Sequence, residues 1–135
     1  MDPERMHFAS REYFGKNCNL ELLADGIEEY FNNQGYKTQD AKDDKGWVIQ
    51  ARKEGLLRDL LAADRAFTMT VTGNSSDFKV SFGIGKWVQN LGMAAIEGLL
   101  LLPALLFLEV PLSLWSFETE SKFWTFVEQQ VELKV

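Results

Sequence analysis

The chain has 135 residues, the size of one domain, and its 46% hydrophobic and 25% charged residues argue against a disordered chain. A net charge of −6 argues against a duplex-binding surface, although residues 35–90 carry 9 basic and 7 acidic side chains. The single cysteine, Cys18, excludes an intramolecular disulfide, and the N-terminus has no apolar run typical of a secretory signal. A cytoplasmic protein is therefore expected.

The first predicted element is an amphipathic helix in "NLELLADGIEEYFNN". Leu20 and Leu23 begin an apolar stripe with three- and four-residue steps, and the acidic side chains lie away from it. Asn17 or Asn19 is suited to cap this helix. The residues before it, 1–17, are expected to form a flexible arm of a single α+β domain that spans the whole chain.

Four short strands follow and predict two hairpins. "GYKTQDA" pairs with "WVIQARK", and "RAFTMTVTG" pairs with "FKVSFGIG" across the turn "GNSSD". Phe78 and Val80 alternate with Lys79 and Ser81, a period of two that is typical of an antiparallel sheet with one wet face. A short helix, Glu54 to Asp64, is expected between the hairpins.

A strongly apolar segment, residues 88–117, follows the strands and contains "GLLLLPALLFLEVPLSLW". Within Leu91–Val110, eleven Leu, Ile, Phe and Val residues favour membrane insertion by about 3–7 kcal/mol, and Glu97 and Glu109 oppose it by up to about 3 kcal/mol each. Insertion is therefore marginal. A buried helix or helical hairpin, a membrane anchor and a self-association surface are three alternatives for this segment.

The last predicted element is a second amphipathic helix, in "ETESKFWTFVEQQVELKV", which begins near Ser116 or Thr119. Four strands spaced about 4.8 Å apart leave room for about two helices on one sheet face. Both amphipathic helices and the apolar segment are expected to pack on that same face. The other face is expected to be too polar to be covered, and its residues are Lys37, Gln39, Gln50, Arg52, Thr68, Thr70 and Lys79.

The motif "GIGKW" lacks the residues of a phosphate loop, since Val80 and Trp87 occupy positions where that loop needs glycine and Ser or Thr. Its glycines are expected to turn the chain at the end of a strand. A basic group nearby could contact an anion or a lipid headgroup, with a solvated strand edge as the alternative. This group consists of Arg52, Lys53, Arg58, Arg65 and Lys86.

The sequence offers no constellation for catalysis. His7 is the one histidine, and Cys18 has neither a histidine nor a second cysteine near it, so a catalytic dyad or a zinc site lacks parts. Glu97 and Glu109 would have a raised pKa if they lay in an apolar setting, or an ordinary one if they reached solvent. We expect a protein that is not an enzyme and holds no metal or cofactor.

The order "GYKTQ…WVIQARKEGLLRDLL…AFTMTVTG…FKVSFGIGKW", followed by a proline-interrupted apolar helix, resembles a family of small uncharacterised prokaryotic proteins. The resemblance covers roughly residues 19–130 and rests on the motifs QARK, LLR and GxGKW. It supports the domain boundaries and implies no activity or site residue, because the family has none established.

Two hypotheses for function follow. The first is an interaction module whose apolar segment serves self-association, binding of a protein partner or contact with a membrane surface. Nucleic acid is not an expected partner. The second is a small-molecule or lipid-binding domain with an apolar pocket between the sheet and a helix over 91–115, and with Arg52, Arg58 or Lys86 at its mouth. The residues expected at the apolar interface or pocket are Leu99, Leu102, Leu105, Leu106, Phe107, Leu114 and Trp115.

Overall fold

The computed structural model of the protein describes residues 5–6, 8–53, 65–91, 100 and 106–133. Over these residues the chain is of the α+β class, as predicted, with strands that precede and follow the first helix. The elements in chain order are β1 (Arg5–Met6), β2 (Phe8–Phe14), α1 (Leu20–Asn32), β3 (Lys37–Asp43), β4 (Gly46–Arg52), β5 (Arg65–Asn74), β6 (Asp77–Lys86), β7 (Val110–Pro111), a 3-10 turn (Leu112–Leu114) and α2 (Phe117–Glu132).

Five of these strands form one antiparallel sheet in the order β2-β6-β5-β4-β3, and β1 pairs separately with β7. The two predicted hairpins are confirmed as β3–β4 and β5–β6. The predicted count of four strands is wrong, because Phe8–Phe14, expected to lie in a flexible arm, pairs with β6 along its whole length. This strand is hard to recognise in the sequence because it lies at the sheet edge, where Tyr13 is its one buried side chain.

Helices α1 and α2 each begin at one of the two side-chain caps that the sequence offered for it. The carboxamide oxygen of Asn19 accepts a hydrogen bond from the Leu22 amide at 3.1 Å, and α1 follows. The hydroxyl of Ser116 accepts one from the Thr119 amide at 3.4 Å, and α2 follows. Such caps satisfy amides that have no partner inside the helix. Gly35, with φ +90°, lies in the turn between α1 and β3.

One face of the sheet, here called the helix face, packs against α1 and α2 and carries the main core. Phe82 of β6 lies at its centre, with its ring centroid 5.1 Å from that of Phe123 on α2. Trp115 joins the same core and is tied to α2, because its indole N–H donates to Glu120 at 2.7 Å. The indole of Trp124 donates to the other carboxylate oxygen of Glu120 at 2.9 Å.

The opposite face of the sheet, here called the second face, contains the polar residues that the alternation predicted, but it is covered. Gln50 and Thr68 have no exposed surface. A second buried cluster lies on this face and consists of Val48, Leu91, Leu106 and Phe107. The prediction that this face is too polar to be covered is therefore wrong, as is the placement of the whole apolar segment against the helix face.

Gln50 and Thr68 can be buried on this face because their polar groups are hydrogen-bonded. The carboxamide nitrogen of Gln50 donates to the Thr68 hydroxyl at 3.1 Å and to the Lys86 carbonyl at 2.8 Å. Its oxygen accepts from the Gln39 amide group and from the Val88 backbone amide, both at 2.9 Å. All four hydrogen-bonding positions of Gln50 are filled, and this removes the cost of burying an amide.

The predicted helix over 91–115 does not continue through its second half. Residues 106–109 are not helical, Val110–Pro111 pairs with β1, and a 3-10 turn follows. Pro111 has no backbone N–H and disfavours a helix in the residue before it. Residues 92–99 and 101–105, like the predicted helix from Glu54 to Asp64, lie outside the described residues. Among the described helices none is long and apolar enough to cross a bilayer.

Candidate functional site

The sheet has one strongly basic end, where β3 and β5 begin and β4 and β6 finish. Lys37 lies directly opposite Arg52, and Arg65 lies directly opposite Lys86. Lys53 follows Arg52 in the chain. These five residues are called the basic end below. Like charges directly opposite each other across strands are destabilising by roughly 0.2–1 kcal/mol per pair, so strand pairing alone does not account for this arrangement.

Four of the five residues predicted as an anion site are brought to this end, and Arg58 lies outside the described residues. Lys37 was missing from the predicted site although its strand was recognised. The register of the predicted hairpin could have identified Lys37, since pairing "GYKTQDA" with "WVIQARK" around the turn places Lys37 directly opposite Arg52.

Two of the five cations lie over the ring of Trp87. The guanidinium carbon of Arg52 lies 4.3 Å from the centroid of the Trp87 ring, and the ammonium nitrogen of Lys37 lies 5.8 Å from it. The indole itself is buried, with 6% of its surface exposed. A cation over an aromatic ring gains about 0.5–1 kcal/mol at an exposed site, which offsets the repulsion between the two cations.

Lys53 is held at the junction between α1 and β3. Its ammonium group donates to the Gln34 carbonyl at 3.1 Å and lies 5.5 Å from the centroid of the Tyr36 ring. Burial, with a smaller contribution from Tyr30, raises the pKa of Tyr36 above its ordinary 10.0. The phenol therefore stays neutral at physiological pH and does not cancel the charge of the basic end.

The apolar residues predicted as an interface or pocket are divided between the two faces. Leu106 and Phe107 are buried on the second face, with 4% and 3% of their surface exposed, and Trp115 is buried in the core of the helix face. The structure therefore does not bring these three residues together. Outside the described residues lie Leu99, Leu102 and Leu105, together with the side chain of Leu114.

The glycines of "GIGKW" lie inside strand β6 and have a packing role. A Cβ atom on Gly83 would lie 2.5 Å from Cδ1 of Phe107, and one on Gly85 would lie 2.7 Å from the Thr68 hydroxyl and clash with the Leu106 carbonyl. The expectation that these glycines turn the chain is wrong. They let the chain at 106–107 approach the sheet, and the Leu108 amide donates to the Ile84 carbonyl at 2.8 Å.

A cleft of about 340 Å³ lies between the second face and the apolar chain that crosses it. One wall is apolar, and the floor carries hydroxyl groups and Lys79. The pocket hypothesis expected Arg52, Arg58 or Lys86 at the mouth. Among the described lining residues the cations are Lys79 and Lys45, and Arg58 lies outside the described residues. Its lining residues, called the second-face cleft below, are Phe8, Asp44, Lys45, Thr70, Thr72, Gly73, Lys79, Ser81, Leu100, Leu106 and Phe107.

The remaining candidates for chemistry are Cys18, Glu109, His7 and Glu97, of which the structure describes the first two. The Cys18 thiol is buried, 3.7 Å from the Val131 carbonyl oxygen. Glu109 is exposed, so the alternative in which it lies in an apolar setting is wrong. His7 and Glu97 lie outside the described residues. Within the part of the chain that the structure describes, no three His, Cys, Asp or Glu side chains are grouped to hold a metal ion.

The described architecture is that of an α+β protein with two helices on one face of an antiparallel sheet and an apolar chain segment on the other. Comparison of the chain with protein-family models, with curated sequences and with solved structures gives no match.

Proposed function

We propose that this protein binds peripherally to anionic membrane surfaces through its basic end. One observation carries the proposal: four neighbouring strands each place a lysine or arginine at the same end of the sheet, in a chain whose net charge is −6. The other residues of the chain carry 9 basic and 20 acidic side chains, so this end of the sheet is the part of the described structure best suited to meet a negatively charged surface.

The spacing of the strands spreads the cations along a line. Adjacent strands are about 4.8 Å apart, so the row from β3 to β6 extends over roughly 14 Å. A lysine or arginine close to an anionic leaflet contributes about 1 kcal/mol, and five of them would contribute about 5 kcal/mol. This attraction reaches only about one Debye length, roughly 8 Å at physiological salt, so the basic end has to touch the surface.

Two features favour a membrane over a nucleic acid. The Trp87 ring has Arg52 and Lys37 over it and little exposed surface, so it is not available to stack on bases. The chain also leaves the basic end after Lys53 and returns at Arg65, and the sequence between them contains four leucines. Basic and apolar residues together are typical of segments that lie at a membrane surface.

Sedimentation with vesicles tests this proposal. We expect the protein to pellet with vesicles that contain phosphatidylserine and to stay in solution with phosphatidylcholine alone, with weaker binding at high salt. Lys37→Gln should lower the partition coefficient about fivefold, and Lys37→Gln combined with Lys53→Gln and Arg65→Gln about a hundredfold, at about 1 kcal/mol per cation.

The matched control is Lys42→Gln. Lys42 lies on the same strand as Lys37 and also sits over an indole, 5.3 Å from the Trp47 centroid, but at the other end of the sheet. It should bind vesicles like the wild type. Equal loss in both variants, or no binding to anionic vesicles at all, would contradict the proposal. Release of the protein from vesicles by a competing oligonucleotide would favour a nucleic acid as the partner. A dimer that forms without vesicles and is lost in Lys37→Gln would favour self-association.

A further inference from the structure

We propose that the second-face cleft is a separate binding site for a small monocarboxylate with an apolar chain or ring. Gly73 and the β3–β4 turn at Asp44 and Lys45 lie at the opposite end of the sheet from the basic end. This proposal is therefore independent of membrane binding and can be tested without vesicles. The volume of the cleft, about 340 Å³, lies at the small end of the range for ligand pockets, roughly 300–1,000 Å³.

The floor of the cleft is a square of four polar side chains on two adjacent strands. Ser81 lies directly opposite Thr70, and Lys79 lies directly opposite Thr72. Directly opposite residues of an antiparallel pair have Cβ atoms about 4.5–5.5 Å apart. Three hydroxyls and one ammonium group are therefore concentrated in an area that one carboxylate and its neighbouring atoms can span.

Two of these hydroxyls, on Thr70 and Ser81, have no hydrogen-bond partner among the described residues and are not among their buried unpaired polar atoms, so they open into the cleft. Thr70 is 6% exposed and Ser81 is 3% exposed, and both line the cleft. Among the hydrogen bonds of the described residues, neither hydroxyl donates or accepts one, whereas the Thr68 hydroxyl on the same face accepts from Gln50. A hydroxyl that faces the cleft and has no protein partner is free to bind a ligand oxygen there.

The wall above this floor is apolar. Phe8 and Phe107 are stacked with their ring centroids 4.8 Å apart, and Leu100 and Leu106 complete the wall. A ligand in the cleft would therefore have its polar group against the sheet and its hydrocarbon against these side chains. An apolar body with one polar end matches both surfaces, and a purely polar ligand would leave the wall uncovered.

The charges around the cleft limit the ligand to one negative charge. Lys79 and Lys45 line it and favour an anion. Asp44 also lines it, and Glu12 lies directly opposite Lys79 on β2, so a ligand with two or more negative charges would be repelled. A carboxylate carries one charge and accepts hydrogen bonds from several donors, which the two hydroxyls and the Lys79 ammonium provide.

Isothermal titration with octanoate, 1-octanol and octylamine tests the ligand class on the full chain. We expect octanoate to bind more tightly than octanol and octylamine to bind most weakly. Backbone amide shifts in an NMR titration should be largest around Thr70, Lys79, Ser81 and Phe107. Shifts centred instead on the groove between α1 and α2, which Tyr30 and Phe126 line, would overturn the proposal.

Single substitutions test the floor. Thr70→Val and Ser81→Ala should each weaken octanoate binding about fivefold to tenfold, since each removes one hydrogen bond. Lys79→Met should weaken it about tenfold and remove the preference for octanoate over octanol. Glu12→Gln should tighten it, because it removes the carboxylate directly opposite Lys79.

The matched controls are Thr125→Val on the exposed side of α2 and Lys42→Met on the helix face, and both should bind octanoate like the wild type. Far-UV circular dichroism and thermal melts confirm that each variant is folded. The proposal is wrong if folded Thr70→Val, Ser81→Ala and Lys79→Met bind octanoate as the wild type does, or if the wild type does not bind octanoate.

Discussion

Gly83 and Phe107 are in such close contact that a Cβ atom on Gly83 would lie 2.5 Å from Cδ1 of the Phe107 ring. This contact joins a strand glycine to a chain segment more than twenty residues later. It allows an apolar segment to lie on the polar face of the sheet, and it holds Phe107, which lines the second-face cleft, against β6.

Enlarging either glycine of β6 should therefore destabilise the protein. We expect Gly83→Ala to lower the free energy of unfolding by about 1–3 kcal/mol, the usual cost of overpacking, and Gly85→Ala by at least as much, because it meets the rigid Leu106 carbonyl. Urea denaturation measures both. Phe107→Leu should recover part of the loss in Gly83→Ala and none in Gly85→Ala, and equal recovery in both would contradict this packing.

Gly26, inside helix α1, should behave in the opposite way. A Cβ atom there would lie 3.7 Å from the Phe126 ring, an ordinary van der Waals contact. Alanine is favoured over glycine in a helix by about 1 kcal/mol. Gly26→Ala should therefore raise the free energy of unfolding by about 0.5–1 kcal/mol in the same urea titration, and a decrease would show that α1 and α2 are packed more closely than described.

Gln50 should be one of the least replaceable polar residues in the described part of the sheet. Gln50→Leu would fit the volume but leave the Val88 amide and the Lys86 carbonyl without their partner. Each buried polar group left unpaired costs about 1–3 kcal/mol. We expect a loss of about 2–4 kcal/mol in unfolding free energy. Gln39→Leu, which removes an outer member of the network, should cost less.

Glu28 should make stability depend on pH in the acid range. Burial, followed by the charge of Asp40, raises the pKa of the Glu28 carboxyl above 4.5, although the Thr38 hydroxyl acts in the other direction. A carboxyl with a raised pKa in the folded state stabilises the fold only when protonated, below its unfolded pKa, and this contribution is lost as pH rises through the folded pKa.

Glu28→Gln, which is always neutral, should therefore be slightly more stable than the wild type at neutral pH. The gain should stay below about 1 kcal/mol because the side chain is partly solvated. It should disappear in acid, where the wild-type carboxyl is protonated. Urea titrations across this pH range measure the difference, and a gain that grows on acidification would reverse the assigned direction.

Tyr13 should make stability depend on pH in the alkaline range. Its hydroxyl donates to Glu128 at 2.8 Å, and burial together with this carboxylate raises the pKa of Tyr13 well above 10.0. The folded state therefore favours the neutral phenol, and the contribution to stability is present below the unfolded pKa and is lost as pH rises above it.

Tyr13→Phe should lose about 1–2 kcal/mol of unfolding free energy near neutral pH, the value of a hydrogen bond to a charged group that is partly buried. Above pH 10.0, where the unfolded tyrosine ionises, the difference between wild type and variant should narrow. A constant difference across this range would show that the phenol does not titrate differently on folding.

The sequence by itself indicated four of the strands and both described helices, and it narrowed each helix cap to two candidates. The period-two alternation in "FKVSFGIG" identified which residues of β6 share a face, and the turn residues identified both hairpins. Asn19 and Ser116, each one of two candidates in the sequence, are the caps in the structure. These features depend on residues close together in the chain, and their spacing follows directly from strand and helix geometry.

Only the tertiary structure decided how the two sheet faces are covered. Gln50 looks like a solvent-facing residue because alternation reports side-chain direction, whereas its burial depends on Gln39 and Val88, which bind it from other parts of the chain. The edge strand β2 was likewise not recognised in the sequence, because a strand with one buried side chain shows no alternation of apolar and polar residues. The floor of the cleft forms because the register of β5 against β6 places its polar residues opposite each other. The wall forms because Phe107 packs against Gly83. Contacts between residues far apart in the chain set all of these features.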